Sequence, residues 1–140
     1  MSAYPPLFCG VALLLILAPG CSSEGPLVKG KGQLLYKEKP LKVKPRTQVI
    51  VTFIPTDKGD KPKHYECDYN LEDGTFEAGY QGKGLPVGKY RISVEQKMPG
   101  SSITADVKKL NDTFGGDHSP IIRELKDEQP IIIDLSKPEG

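Results

Sequence analysis

Short apolar segments, interrupted every few residues by glycine, proline or aspartate, constrain the fold of this chain more than any other feature. Residues 48–54 read Gln-Val-Ile-Val-Thr-Phe-Ile, and Val49, Val51 and Phe53 fall on one face of an extended strand. Residues 89–96 alternate in the same way, which predicts one buried and one solvent-exposed face. With 15 glycines, 13 prolines and no tryptophan, the chain favours short strands and turns over long helices.

The remaining segments predict one β-sandwich. An Asp73-Gly74 turn joins two of them into a hairpin, since glycine tolerates the positive φ of tight turns. Residues 104–110 fit either a short helix or a strand, and the rest of 98–117 is expected to be an extended surface loop. We predict an all-β fold, a single antiparallel β-sandwich of about seven strands, either Ig-like or transthyretin-like, whose strand order stays open. The predicted strands are residues 27–36, 48–54, 64–70, 75–80, 89–96, 121–125 and 131–135.

The beginning of the chain has the composition of an export signal. Residues 7–18 are almost wholly apolar, and the first charged residue is Glu24. Prolines and a glycine bracket this stretch, which is shorter than the roughly 20 apolar residues that a membrane-spanning helix takes. The sequence therefore predicts a lipoprotein signal peptide over residues 1–20 and export of the rest.

Cys21 is the predicted site of lipidation. Residues 17–21 read Leu-Ala-Pro-Gly-Cys, which resembles a bacterial lipobox, where the cysteine thiol takes a diacylglyceryl group. The leader has no lysine or arginine, and Ala18 stands where the lipobox has leucine, so ordinary secretory cleavage near Ala18 or Gly20 is the alternative. We predict a tether over residues 21–26, a β-sandwich domain over 27–137, and a lipid anchor that holds the protein at the periplasmic or outer-membrane face of the cell envelope.

Cysteine usage fits this prediction. Of the three cysteines, Cys9 leaves with the leader, and acylation of Cys21 leaves Cys67 without an intramolecular partner. A lone thiol in an oxidising compartment is tolerated when it is buried as a small apolar side chain. The alternation of Tyr65, Cys67 and Tyr69 with polar residues predicts that this face is buried.

The charges predict no nucleic-acid partner. Lysine and arginine total 19 against 18 acidic residues, a net charge of +1, which gives no dominant basic footprint. One stretch is locally basic: Lys29, Lys31, Lys37, Lys39, Lys42, Lys44 and Arg46 face only Glu38. Lysines commonly protect strand edges from unwanted pairing, and the alternative is that this stretch attracts an anionic partner.

Two groups of side chains have the types that bind metals. His64, Glu66 and Asp68 share one strand face, which is expected to face solvent. A second group lies in a glycine-bearing loop without the ligand spacing of a calcium loop: Asp112, Asp117 and His118. We predict that neither group forms a metal site and that the protein has no cofactor.

No catalytic motif is recognisable. Cys67 with His64 or His118 is an imaginable nucleophile and base, but a thiol between two tyrosines indicates packing. Glycine-rich residues 82–84 lack the ending of a phosphate loop. Tyrosines offer a sugar- or protein-binding face, although half or more of them are expected in the core: Tyr36, Tyr65, Tyr69, Tyr80 and Tyr90. We predict that the protein is not an enzyme.

The order of several motifs is similar to that of a known family. Residues 28–32 read Val-Lys-Gly-Lys-Gly, 49–55 form the central strand, 73–76 read Asp-Gly-Thr-Phe, and 84–92 read Gly-Leu-Pro-Val-Gly-Lys-Tyr-Arg-Ile. Together with the endings at 119–125 and 131–135, they resemble carboxypeptidase regulatory-like domains of the transthyretin-like type, especially those of small exported lipoproteins from planctomycete-type bacteria. The resemblance covers about residues 27–137 and implies an accessory, carrier or adhesive module without catalytic residues.

These observations favour a non-enzymatic, membrane-tethered envelope lipoprotein. Its β-sandwich is predicted to act in structure or in interaction with an envelope protein or glycan. The alternative is an accessory module that binds a sugar, a peptide or a metal for a separate enzyme or transporter. An exposed aromatic patch or converging carboxylates would favour the second function over the first.

Overall fold

The computed structural model describes residues 25–57, 62–79, 83–100 and 103–137. Most of the regular structure in these ranges is β-strand, which confirms the all-β class. None of the described helices is long and apolar enough to span a bilayer. In chain order the elements are β1 (Leu27–Val28), β2 (Gly30–Tyr36), β3 (Lys39–Pro40), β4 (Gln48–Pro55), β5 (Tyr65–Tyr69), β6 (Thr75–Ala78), β7 (Leu85–Pro86), β8 (Gly88–Lys97), α1 (Ala105–Phe114), a 3-10 helix (Gly116–His118), β9 (Ile122–Leu125) and β10 (Ile131–Asp134).

Each predicted strand segment contains a strand, and the predicted hairpin is confirmed. Strands β5 and β6 pair antiparallel, and Gly74 between them has a φ of 73°. The Asp73 carboxylate accepts hydrogen bonds from the Thr75 backbone N–H at 2.9 Å and from its hydroxyl at 2.6 Å. This turn is thus fixed by an aspartate that bonds two residues ahead and a glycine that adopts the left-handed conformation.

The longer strands form one hydrogen-bonded path. Its order is β10-β2-β6-β5-β4-β8-β9, with β3 added to β2, while β1 and β7 form a separate two-stranded ladder. The expectation of a wholly antiparallel arrangement is wrong at one place, because β10 pairs parallel to β2. The closing strands β9 and β10 lie at opposite ends of the path, since each completes the free edge of a different long strand.

The path curls so that one face encloses the core. Phe53 on β4 and Phe76 on β6 are separated by β5, yet their ring centroids lie 6.1 Å apart. Val49, Val51 and Phe53 are all buried, as their alternation predicted. Leu125 of β9 and Ile133 of β10 belong to the same buried cluster, so the two ends of the path share one core.

Gly32 allows the close approach of β10 and of an aromatic ring to β2. A Cβ atom at this position would lie 2.2 Å from the Ile131 carbonyl oxygen and 2.4 Å from Cζ of Phe76. Both distances are far below any real van der Waals contact, so a side chain here would displace the backbone or the ring. Only glycine fits this crossing of strand and ring.

The prediction that one face of β8 is exposed to solvent is confirmed at Lys89, which is exposed, and fails in the middle of the strand. Ser93 is 3% exposed although its neighbours Ile92 and Val94 already fill the core face. The 3-10 helix covers this second face, and the Gly116 N–H donates a hydrogen bond to the Ser93 hydroxyl at 2.7 Å. Alternation identified the strand correctly but could not show that a later segment covers its polar face.

Helix α1 resolves the segment that the sequence left as helix or strand, and it extends through much of the expected loop. The Thr104 hydroxyl caps it by accepting from the Val107 N–H at 3.4 Å. Beyond the end of β9, the Asn111 side chain bonds both backbone groups of Gln96, receiving from its N–H at 2.8 Å and donating to its carbonyl at 2.9 Å. Asn111 therefore replaces a neighbouring strand along the last part of β8.

The sheet has two distinct ends. At the β1–β7 end lie the start of β2 at Gly30 and the end of β4 at Pro55, which pairs with Tyr90. At the α1 end lie the end of β2 at Tyr36 and the start of β4 at Gln48. The seven residues of β2 separate the two ends by about 20 Å at the usual rise of an extended strand.

Candidate functional site

Cys21, the predicted lipidation site, lies outside the described residues, as do residues 1–20 of the predicted leader. The described chain begins at the β1–β7 end, where the Val87 N–H donates to the Pro26 carbonyl at 3.2 Å. Gly25 and Pro26 are exposed there. The proposed tether therefore enters the domain at the β1–β7 end.

The two candidate metal groups are located on different parts of the surface. His64, Glu66 and Asp68 are exposed on or beside β5. Asp112 forms an ion pair with Lys108 at 2.5 Å, and its backbone carbonyl lies 3.0 Å from Nε2 of His118. Within the described ranges, no three His, Cys, Asp or Glu side chains are grouped so that they could hold a metal ion.

Cys67 is a free, half-buried thiol on β5. Burial raises its thiol pKa, and the negative charges of Asp68 and Glu66 raise it further. The thiol therefore stays protonated at neutral pH, whereas a nucleophilic cysteine needs an accessible thiolate. Cys67 packs against the hydrophobic core, as do Tyr65 and Tyr69, although all three are half-buried rather than fully buried.

The tyrosines are distributed between core and surface. Tyr90 is buried, donates its hydroxyl hydrogen to the Pro86 carbonyl at 2.6 Å, and stacks edge-on against Tyr65 at 6.3 Å. Burial raises the pKa of Tyr90 to about 12, helped by Tyr65 and Asp57. Tyr36 is 49% exposed, and Tyr80 lies outside the described residues.

A cavity that is open to solvent lies at the α1 end. It has a volume of about 720 Å³, within the range of small-molecule sites, and it lies between α1, residues 41–47 and the segment that follows β10. Its walls are largely apolar because α1 turns a stripe of side chains towards the sheet at helical spacing. The apolar wall consists of Leu41, Val107, Leu110, Phe114 and Leu135.

Residues 41–47 build one wall by alternation without being a strand. Leu41 and Thr47 are buried and Val43 is half-buried, whereas Lys42 and Lys44 are exposed. The Thr47 N–H donates to the Lys44 carbonyl at 3.1 Å, which closes a turn and keeps these two residues together. This segment thus directs apolar side chains inward and places lysines at the mouth of the pocket.

Thr47 carries an unsatisfied polar group in this pocket. The residue is 3% exposed, and its Oγ1 is buried with no hydrogen-bond partner among the described residues. A buried hydroxyl without a partner costs on the order of 1–3 kcal/mol, so most buried polar groups in proteins are paired. An unpaired hydroxyl that lines a cavity indicates a place where a bound molecule would supply the missing partner.

A second, shallower groove crosses the outer face of β2, β6 and β5. Its volume is about 1010 Å³, its surface is about as apolar as that of the cavity at the α1 end, and it is more open to solvent. Two large apolar side chains in it are about half exposed, Leu71 at 49% and Ile132 at 51%. Tyr69 also lines it, and burial, with a contribution from Asp73, raises the pKa of its hydroxyl to about 12.

Part of the pocket was recognisable in the sequence. The basic stretch and the Leu-Lys-Val-Lys alternation of residues 41–44 were visible, and an anionic partner was one of two explanations for the lysines. The edge-strand explanation applies to β3, which pairs with the end of β2, but not to residues 42–47, which form no strand. The opposite wall was missed because α1 was not distinguished from a strand.

Comparison of the chain with protein-family models, with curated protein sequences and with solved structures gives no match. Information about the function therefore comes from the sequence and from the geometry of the described residues.

Proposed function

We propose that the protein is an exported, lipid-anchored and non-enzymatic envelope protein whose β-domain binds an apolar ligand at the α1 end. The pocket between α1 and residues 41–47 carries this proposal, because it combines an apolar wall and a buried hydroxyl without a partner with a more enclosed shape than the outer groove, where the Tyr69 hydroxyl also lacks a partner among the described residues. Such a combination is characteristic of ligand sites. The domain would serve as an accessory module that holds a molecule for a separate enzyme or transporter.

The proposed cellular location rests on the sequence before residue 25. An apolar leader over residues 1–20 followed by Cys21 supports export and acylation. The domain would span residues 27–137, and the order of the sequence motifs, together with the Asp73-Gly74 hairpin, supports a transthyretin-like β-sandwich of the carboxypeptidase regulatory-like type. The expected partners are the membrane, through lipid on Cys21, and an envelope protein or glycan.

Lipidation is tested by metabolic labelling with palmitate. Wild-type protein should incorporate the label, and Cys21→Ser should not. Cys67→Ser is the matched control, because it removes a thiol from the domain and leaves the proposed acceptor intact. Label that persists in Cys21→Ser would contradict the anchor, and the mass of the mature amino terminus would then show the actual cleavage site.

Ligand binding is tested with a neutral fluorescent probe, N-phenyl-1-naphthylamine. Thr113 is exposed on α1 and lines the pocket, so Thr113→Trp places an indole in the cavity without altering the core. The probe should bind the wild type and lose most of its affinity for Thr113→Trp. Asp112→Trp is the control, since it adds the same ring to the neighbouring exposed position outside the pocket. Equal binding to both variants would contradict the pocket's function.

A structural or protein-interaction role is the second candidate, and the outer groove supports it. Leu71 and Ile132 expose apolar surface beside polar neighbours, as protein contact sites do. If this role is the principal one, Ile132→Asp should abolish crosslinking of the anchored protein to its envelope partner, and Thr113→Trp should leave it unchanged. The reverse pattern would favour the pocket.

A further inference from the structure

We propose that the pocket at the α1 end takes a single-chain anionic amphiphile, with its hydrocarbon chain against the apolar wall and its acidic head at the lysines of the mouth. This inference rests on the proposed function and specifies the chemical class of the ligand. Three features of the pocket support it: the charges at the mouth, the apolar wall, and the hydroxyl of Thr47 between them.

The mouth of the pocket is positively charged. Lys42 and Lys44 come from the segment before β4, and Lys109 comes from α1, so cations from two separate elements line one opening. Asp106 is the only acidic side chain among the described residues that line it. An excess of positive charge at a narrow apolar opening attracts an anion and disfavours a cation.

These lysines are available to a ligand. Lys42, Lys44 and Lys109 form no ion pair with any described carboxylate, whereas Lys108, the neighbour of Lys109, pairs with Asp112 at 2.5 Å. An ammonium group that already has a carboxylate partner must give it up to bind an anion. The three lysines at the mouth carry no such cost.

The wall behind the lysines requires a hydrocarbon chain. Val107, Leu110 and Phe114 lie on one stripe of α1, and Leu41 and Leu135 face them across the cavity. Each methylene that a ligand buries against such a wall strengthens binding roughly fourfold. Inorganic phosphate or another small anion would leave this surface unused, so the head and the chain are needed together.

Thr47 lies where the charged mouth meets the apolar wall. The backbone hydrogen bond from Thr47 to Lys44 holds its buried hydroxyl close to the chain that carries the lysine. A hydroxyl donates one hydrogen, and an acidic head group supplies oxygens that accept it. One bound head group would therefore neutralise the mouth and, after a rotation of the Thr47 side chain that brings its buried Oγ1 to the cavity surface, supply the missing partner.

The test compares two ligands that differ only in charge. 11-(Dansylamino)undecanoic acid and its primary amide are titrated into the full chain carrying Cys21→Ser, which lacks the proposed lipid acceptor. Binding that survives Thr113→Trp is subtracted as binding outside the pocket. The acid should bind at least roughly tenfold more tightly than the amide, because charge-assisted hydrogen bonds exceed neutral ones by that much. In 0.5 M salt the preference should shrink while amide binding stays constant.

Lysine and threonine variants show which side chains cause the preference for the acid over the amide. The double variant Lys44→Gln with Lys109→Gln should lose the preference for the acid and keep binding the amide. Lys29→Gln with Lys89→Gln removes the same charge away from the pocket and should keep the preference. Thr47→Val should weaken acid binding roughly fivefold, and Thr47→Ser, which retains the hydroxyl, should restore it.

Competition distinguishes the acidic heads that a single-chain amphiphile can carry. Dodecanoate and dodecyl phosphate are each used to displace the dansyl acid, with inorganic phosphate alone as the chainless control. Displacement by either amphiphile and not by inorganic phosphate supports the proposal and identifies the preferred head. Displacement by neither would overturn it.

The failure of this inference is distinguishable from the failure of the proposed function. Equal binding of acid and amide, or no binding of either while N-phenyl-1-naphthylamine still binds, overturns the anionic ligand and leaves an apolar pocket. Retention of the preference in the Lys44 and Lys109 double variant also overturns it. Loss of N-phenyl-1-naphthylamine binding as well overturns the pocket itself.

Discussion

The β1–β7 end and the α1 end of the same curled sheet differ in how completely their interior is filled. At the β1–β7 end, Leu85 is fully buried, the Phe53 and Tyr90 rings meet edge-on at 5.7 Å, and the Tyr90 hydroxyl is bonded to Pro86. At the α1 end, a cavity remains between helix and sheet, and the hydroxyl of Thr47 has no partner. A groove of about 620 Å³ beside Leu27 and Pro86 also lies at the β1–β7 end, so the two ends differ in the packing around their buried hydroxyl groups and not in the presence of a cavity.

This difference separates stability from binding within one small domain. The close packing of Phe53 and Tyr90 at the β1–β7 end stabilises the fold through burial and a paired hydroxyl group. The α1 end forgoes part of that stabilisation, because its apolar side chains line a cavity that reaches solvent. Substitutions at the two ends should therefore change the free energy of unfolding by different amounts and, for polar groups, in opposite directions.

The largest expected effect is the loss of a ring from the filled end. Phe53→Ala should lower the free energy of unfolding by about 3–5 kcal/mol, because Phe53 is fully buried between Phe76 and Tyr90. Leu110→Ala should lower it by only about 1 kcal/mol, since Leu110 is half-buried beside an existing cavity. Urea unfolding measures both, and equal losses would contradict the difference between the ends.

The next effect concerns the attachment of α1. Asn111→Ala removes both hydrogen bonds to the Gln96 backbone and should lower the free energy of unfolding by about 2 kcal/mol. Hydrogen exchange of the Gln96 amide should accelerate more than that of central β4 amides. The control is Asn70→Ala, whose side chain accepts one exposed bond from the Glu72 N–H and should change stability by less than about 1 kcal/mol. A stability unaffected by Asn111→Ala would show that α1 is held by its apolar stripe alone.

The removal of two different hydroxyl groups should change the free energy of unfolding in opposite directions. Tyr90→Phe removes a satisfied hydroxyl at the β1–β7 end and should destabilise the protein by about 1 kcal/mol. Thr47→Val removes an unsatisfied one at the α1 end and should stabilise the ligand-free protein by about 1 kcal/mol. Thermal melts of the two variants give the comparison directly. Destabilisation by Thr47→Val would show that its hydroxyl has a partner in the free protein.

The smallest expected effect is a dependence of stability on pH, which arises from Asp134 at the α1 end. The Ser136 hydroxyl, together with backbone N–H groups of Ser136, Glu38 and Lys37, lowers the pKa of Asp134 to about 2. Because the folded pKa lies below that of the unfolded chain, this contribution is present above about pH 4 and is lost as the pH falls towards 2. Melts between pH 2 and 5 should show a small loss that Asp134→Asn abolishes. An unchanged profile in that variant would assign the loss to other carboxylates.

The positions of the strands were predictable because each carries its own local signal. The alternation of Val49, Val51 and Phe53 and the Asp73-Gly74 turn report on neighbours within a few residues, and the structure confirms both. Which strands pair with each other was not predictable in this way. The parallel pairing of Ile131 with Gly32 joins residues about a hundred positions apart, and alternation carries no information about which edge a strand completes.

The pocket was predictable only in part for the same reason. Lys42 and Lys44 were visible as a basic stretch, but Lys109 joins them only when α1 is recognised as a helix. The stripe of Val107, Leu110 and Phe114 is short and interrupted by lysines, so its period is weak. That Thr47 would be buried without a partner depends on walls from five separate segments, and no local pattern reports this.

The direction of β2 has a consequence for how an anchored protein would work. The described chain begins at the β1–β7 end and β2 carries it about 20 Å to the α1 end, so a lipid-anchored tether would join the domain at the end opposite the pocket. With lipid on Cys21, the mouth of the pocket would point away from the bilayer that holds the protein. Cargo would then be exchanged with the aqueous compartment or with a facing surface, and lateral entry from the host leaflet would be disfavoured.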